Sequence, residues 1–316
     1  MKKILITLSI IFCGLTTYGQ STYWKKSTQN FSNNKVIQAE SEPYQIFELD
    51  QKTLQRDLSS GKAIRLRMPT SQGGFEDYLV EEKESMAKEL SKKYPAIKTY
   101  QGYKISDPKS RIALTLTSDR IFLYAFSEAS EGMRMLSPNT YMFYKISGNQ
   151  TLLEQFSCGV LSDNRSIPAD QATPSGNRLD ISSQTARNKV EGVRTLRLAV
   201  VSAGEYGEIN GGTKETVLAN IISIVNGLNV ISEQDLGIKY QLIANNDKLI
   251  FFNKATDPYN IEQNGVSTNS SYLNTRTQVV IDSLIGKQNY DLGHLFIARN
   301  ETGNPVPYGI GNAYGI

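Results

Sequence analysis

The reading turns on residues 290–316, YDLGHLFIARNETGNPVPYGIGNAYGI. Leu292 to Ala298 is an apolar run of strand length. Arg299 to Pro305 is a polar turn, and Tyr308 to Ile316 is extended again. Three glycines, Gly309, Gly311 and Gly315, fall in that last segment. Glycine inside an extended run marks a place where another backbone comes close. The pair therefore predicts a hairpin whose second strand lies at the edge of a sheet.

Upstream, the pattern predicts the body of that sheet. Thr195 to Ser202 (TLRLAVVS) is nearly all apolar, as a strand buried on both faces requires. After Gly211-Gly212, Thr213 can cap a helix. Its apolar stripe is Val217, Leu218, Ile221, Ile222, Val225, Leu228 and Val230. Ile238 to Ala244 and Lys248 to Phe252 predict two strands around the turn Asn245-Asn246-Asp247. Tyr272 to Ile285 predicts a second helix with Leu273, Val279, Val280 and Leu284 inside. The order β-α-β-β-α-β-β over 194–316 implies an α/β unit with a mainly parallel sheet.

The first half of the chain has a different texture. Lys2 and Lys3 precede an apolar run from Ile4 to about Leu15, with Thr17 and Gly19 placed as a cleavage site. That is the layout of a signal peptide over 1–19, cut between Gly19 and Gln20. The run is short of the ~20 residues that span a bilayer. Phe12 before Cys13 departs from a lipoprotein signal, so plain secretion is expected, with no membrane contact after cleavage. Residues 20–43 are a polar lead-in. Residues 44–160 hold a helix capped by Asp50, a charged helix over Glu81 to Lys93, and short strands separated by turn residues. This predicts an α+β domain, mostly antiparallel β. Residues 161–193 have linker composition, and Arg165, Arg178, Arg187 and Lys189 offer sites for proteolytic cutting.

The totals exclude several activities. The 316 residues carry a net charge of +3, too little to suggest a nucleic-acid-binding face. There is one histidine, His294, where a catalytic zinc commonly takes two or three. No serine elbow, phosphate loop or dinucleotide fingerprint is present. Once the signal is removed Cys158 is the sole cysteine: an intermolecular partner, a buried thiol or a metal ligand.

At residue level the two halves point the same way. FELDQKTLQRDL and the stretch from Arg65 to Thr117, with Pro69, Phe75, Met86, Tyr94-Pro95 and Asp107-Pro108 in order, resemble a particular propeptide domain. It is that of the secreted reprolysin-like zinc metalloproteases (metzincins) of Bacteroidetes and related bacteria. RTLRLAVVSAGEY, VNGLNVISEQDLGIKYQLIANNDKLIF and YDLGHLFIARN resemble the opening of their catalytic domain. The resemblance implies peptide-bond hydrolysis by zinc-activated water, with protein or peptide substrates. It implies a substrate-binding edge strand at Gly309, Ile310, Gly311, Asn312, Ala313 and Tyr314. Cys158-Gly159-Val160 resembles the family's latency switch, whose thiolate occupies the zinc, although Phe156-Ser157 departs from that motif. Calcium is not implied, because Arg197 stands where an acidic residue is required. The family's zinc helix, H-E-x-x-H-x-x-G-x-x-H, does not occur before Ile316. The expectation is therefore a catalytic domain truncated before its metal, inactive as given and without catalytic residues of its own. His294 is then a structural residue. The alternative is a non-catalytic secreted module that binds or inhibits through the same half-fold.

Overall fold

The computed structural model describes residues 23–31, 37, 43–126, 131–145, 192–259, 270–301 and 304–312. Two units emerge. The first is a nine-stranded, wholly antiparallel sheet in the order β1-β2-β9-β8-β7-β6-β5-β4-β3. Its strands are β1 (Trp24–Lys26), β2 (Tyr44–Leu49), β3 (Ile64–Pro69), β4 (Phe75–Glu82), β5 (Lys98–Lys104), β6 (Asp107–Leu116), β7 (Ile121–Phe126), β8 (Glu131–Ser137) and β9 (Thr140–Lys145). From β3 to β9 each strand pairs with the next, so the chain meanders. The sheet curls nearly to a barrel. Phe47 of β2 meets Phe75 of β4 edge-on at 5.6 Å, and Ser71 after β3 donates to Glu131 of β8 at 2.9 Å. Leu66, Ile112, Leu114, Tyr141 and Phe143 fill the interior.

Helix α1 (Gln51–Leu58) plugs this core with Leu54 and Leu58. Asp50 caps it as expected, accepting from the Thr53 amide at 3.1 Å. The charged helix expected over Glu81 to Lys93 is shorter. Glu81 and Glu82 stay in β4, paired with Gln101 and Tyr100, and only α2 (Lys88–Lys93) is helical. Backbone pairing in the sheet overrides the local helix propensity there.

The second unit is a four-stranded sheet in the order β11-β10-β12-β13. β10 (Arg194–Ser202) lies parallel to β11 (Ile238–Leu242) and β12 (Leu292–Glu301), and β13 (Asn304–Asn312) is antiparallel to β12. Both strands of the hairpin run further into the expected polar turn than the sequence suggested. Helix α3 (Gly204–Ile209) was not expected. Helix α4 (Lys214–Asp235) starts at a capping box on Thr213, and α5 (Ser270–Leu284) follows later. The helices sandwich the sheet, and alternation along β10 follows from that. Leu198 and Val200 face Leu218, Ile221, Ile222 and Val225 of α4. Ala199 and Val201 face Leu273, Val280 and Ile281 of α5. Leu228, Val279 and Leu284, expected inside, are 43%, 51% and 43% exposed.

The expected strand at Lys248 to Phe252 is not formed, which corrects the order to β-α-α-β-α-β-β. Asn246–Leu249 is a 3-10 turn, and Ile250 makes only a single bridge to Ser202. The buried Asn246 side chain takes the partner's role. It accepts from the Val200 amide at 2.8 Å and donates to the Val200 carbonyl at 2.9 Å, so β10 needs no further strand there.

Candidate peptide-binding edge and His294

The hairpin places the predicted site residues in one row. Gly309, Ile310, Gly311 and Asn312 of β13 stand opposite Phe296, Leu295, His294 and Gly293 of β12. β13 is the last strand of the sheet, so its far side carries backbone groups with no partner strand among the described residues. Ala313, Tyr314, Cys158, Gly19 and Gln20 lie outside the described residues.

His294 sits mid-strand on the α4 face. Its ring meets Phe296 edge-on at 4.8 Å, and Phe296 stacks on Tyr206 at 5.1 Å. Burial pushes the imidazole pKa down to about 4, so the ring is neutral at neutral pH. An apolar groove of about 470 Å³ opens beside it, between α4 and the sheet, lined by Leu198, Val225, Leu228, Tyr240, Leu292 and Phe296.

Asp291, just before β12, is held by Arg197. Its carboxylate accepts from the Arg197 amide at 2.7 Å and from the guanidinium at 2.7 and 3.2 Å. Arg197 also donates to the Gln288 carbonyl at 2.7 Å. These hydrogen bonds hold the Asp291 carboxyl below the usual range.

Sequence reasoning missed two groups of residues. Gly204 and Gly207 of α3 lie against the chain at 251–254: a Cβ on Gly204 would fall 2.3 Å from the Lys254 amide nitrogen, and one on Gly207 2.4 Å from Phe252 Cα. The spacing G-x-x-G at the start of a helix was the available signal. Asn226, fully buried on α4, was also passed over. Its signal was a polar residue inside the apolar stripe, one turn after Ile222.

A mixed sheet between helices, with a last antiparallel strand that has no outer partner strand among the described residues, defines an α/β unit. Residues 192–314 match the family model described as Metallo-peptidase family M12B Reprolysin-like. That span begins two residues before β10 and ends two after β13, so the match falls on the second unit and supports a reprolysin-like metalloprotease domain there. No curated protein matches the chain.

Such a domain implies zinc. Among the described residues no three His, Cys, Asp or Glu side chains converge on a point that could hold a metal ion. His294 faces Phe296 and an apolar groove with no acidic side chain lining it. The described residues do not fit a zinc centre.

Proposed function

We propose that residues 194–316 are the substrate-holding part of a secreted, latent metalloendopeptidase. The observation that carries this is the coincidence of the family match with a unit whose sheet, among the described residues, ends in an open edge strand. An extended peptide adds to β13 as a further strand, held by main-chain hydrogen bonds at every second residue. Gly309 and Gly311 present no side chain there, so the peptide backbone can lie flat against them. The bond to be hydrolysed is an ordinary peptide bond, and the metal that hydrolysis requires is not supplied by the described residues.

The first unit is proposed to be the propeptide. Its described part lies against β11 and α4, away from β13, so it does not itself cover the edge strand. Latency then falls to the segment that follows β9. Cys158 is thirteen residues beyond Lys145, a reach of at most about 45 Å when extended. That is several times the ~14 Å width of a four-stranded sheet.

The test uses residues 20–316 and an unstructured decapeptide from casein. Binding is expected, and N-methylating alternate peptide amides should abolish it in one phase of methylation but not in the other. Equal loss in both phases overturns strand addition. Chelator-sensitive cleavage of casein by this chain overturns the assignment of a substrate-holding role without a metal centre.

A further inference from the structure

The first unit is not merely tethered to the second; it completes it. Between β4 and α2 the chain runs beside β11, where Met86 forms a parallel bridge with Leu242. The Ala87 amide donates to the Leu242 carbonyl at 2.8 Å, and the Leu242 amide donates to the Ser85 carbonyl at 3.0 Å. Two residues earlier, Asn229 of α4 takes both backbone groups of Tyr240 at 2.8 Å. The outer edge of β11 is closed at both positions, and half of that closure comes from the first unit.

Packing repeats the pattern. Met86, Leu90 and Ile97, none more than 2% exposed, sit in one apolar cluster with Leu198, Leu218 and Leu242 of the second unit. Asn226 on α4 is fully buried against the first sheet. Its amide nitrogen lies 3.0 Å from the Leu114 carbonyl, 3.2 Å from Thr115 Oγ1 and 3.3 Å from the Tyr100 carbonyl. Its amide oxygen accepts from Gln101 at 3.1 Å and from Ser85 at 3.3 Å. At the next residue, Gly227, a Cβ would stand 3.1 Å from the Tyr124 ring, so the glycine lets β7 approach. Asp247, 3% exposed, pairs with Lys93 and accepts from the Tyr94 hydroxyl at 3.4 Å. Stripping the first unit away would leave an open strand edge, an apolar surface, an unpaired amide and an uncovered carboxylate. Each of these is costly. The contact joins a shared apolar cluster to buried hydrogen bonds, the combination found in permanent interfaces.

We propose that the first unit is an obligate noncovalent subunit of the second, so that cutting between Lys145 and Arg194 does not release it. This goes beyond the peptidase reading and stands whether or not the second unit holds a peptide.

A recognition sequence for a site-specific protease is inserted within residues 161–191 of the full chain, which is then cut and passed over a sizing column. Both pieces should elute together at the mass of the uncut chain, from micromolar to nanomolar loading. Separation of two folded pieces at micromolar concentration overturns the proposal. Exchange against a labelled first piece then locates the contact. Asn226→Ala should speed exchange at least tenfold. Lys93→Met, at a side chain 57% exposed where the fold tolerates change, should speed it severalfold. Exchange unchanged in Lys93→Met and in any folded Asn226→Ala refutes the assigned interface.

Discussion

Because His294 is the sole histidine, its burial makes a pH dependence that can be traced to one side chain. The unfolded imidazole takes its proton near 6.5, and the folded one only near 4. Between these values the unfolded state binds more protons, so acid favours unfolding. The stability present above pH 6.5 is lost as pH falls toward 4 and then levels off. At about 1.4 kcal/mol per pH unit this gap amounts to about 3 kcal/mol between pH 7.5 and 4. The carboxyls of Asp50, Asp107, Asp119 and Asp291 are shifted down, so their losses come at lower pH. Burial raises the Glu131 carboxyl, whose contribution has the opposite sign, growing as pH falls. Comparison with His294→Gln cancels all of these. Urea unfolding followed by circular dichroism at the two pH values should show the wild type losing about 3 kcal/mol more than the variant. Equal losses would refute the partly buried, neutral imidazole and the groove geometry that produces it.

Two further substitutions, at Gly204 and Asn246, probe the second unit, with Gly61 of the first unit as a control. Gly204→Ala should cost about 3 kcal/mol, because the new Cβ meets the backbone at Asn253 and Lys254, which cannot swing aside. Gly61→Ala, at φ 70° with nothing within 4 Å, should cost about 1 kcal/mol. Thermal melts of the pair separate steric clash from backbone strain, and equal shifts would contradict the close approach of α3. Asn246→Ala should cost about 2–4 kcal/mol, since it leaves the Val200 amide and carbonyl unpaired in the interior. Faster hydrogen exchange at Val200 is the specific readout.

Much of the second unit could be read from the sequence. Thr213 announced α4, the unbroken apolar run announced β10, and the hairpin followed from two extended segments around a polar turn. What escaped depended on partners distant in the chain. Lys248–Phe252 has strand composition, yet Asn246 already satisfies β10, and a side chain imitating a backbone leaves no periodicity to detect. Glu81–Lys93 has helix composition, but Tyr100 and Gln101 hold its start in the sheet and Leu242 claims Met86. α3 was hidden by Gly204 and Gly207, which weaken helix propensity and are needed for close packing. Of the proposed site, the edge position of Gly309–Asn312 was legible from the hairpin. The union of the two units through Asn226 was not, because an asparagine's value there rests on Tyr100, Gln101, Leu114 and Thr115, more than a hundred residues earlier.

Among the described residues the small sheet is closed along β11 at Tyr240 and Leu242 and open along β13. A sheet open on both sides can recruit copies of itself without limit and grow into a fibre. With a single sticky rim, two copies can meet only rim to rim about a two-fold axis, and the pair then offers nothing more to a third. With that one rim among the described residues, self-association through this sheet would stop at two, and the rim could not serve a peptide and a twin at once.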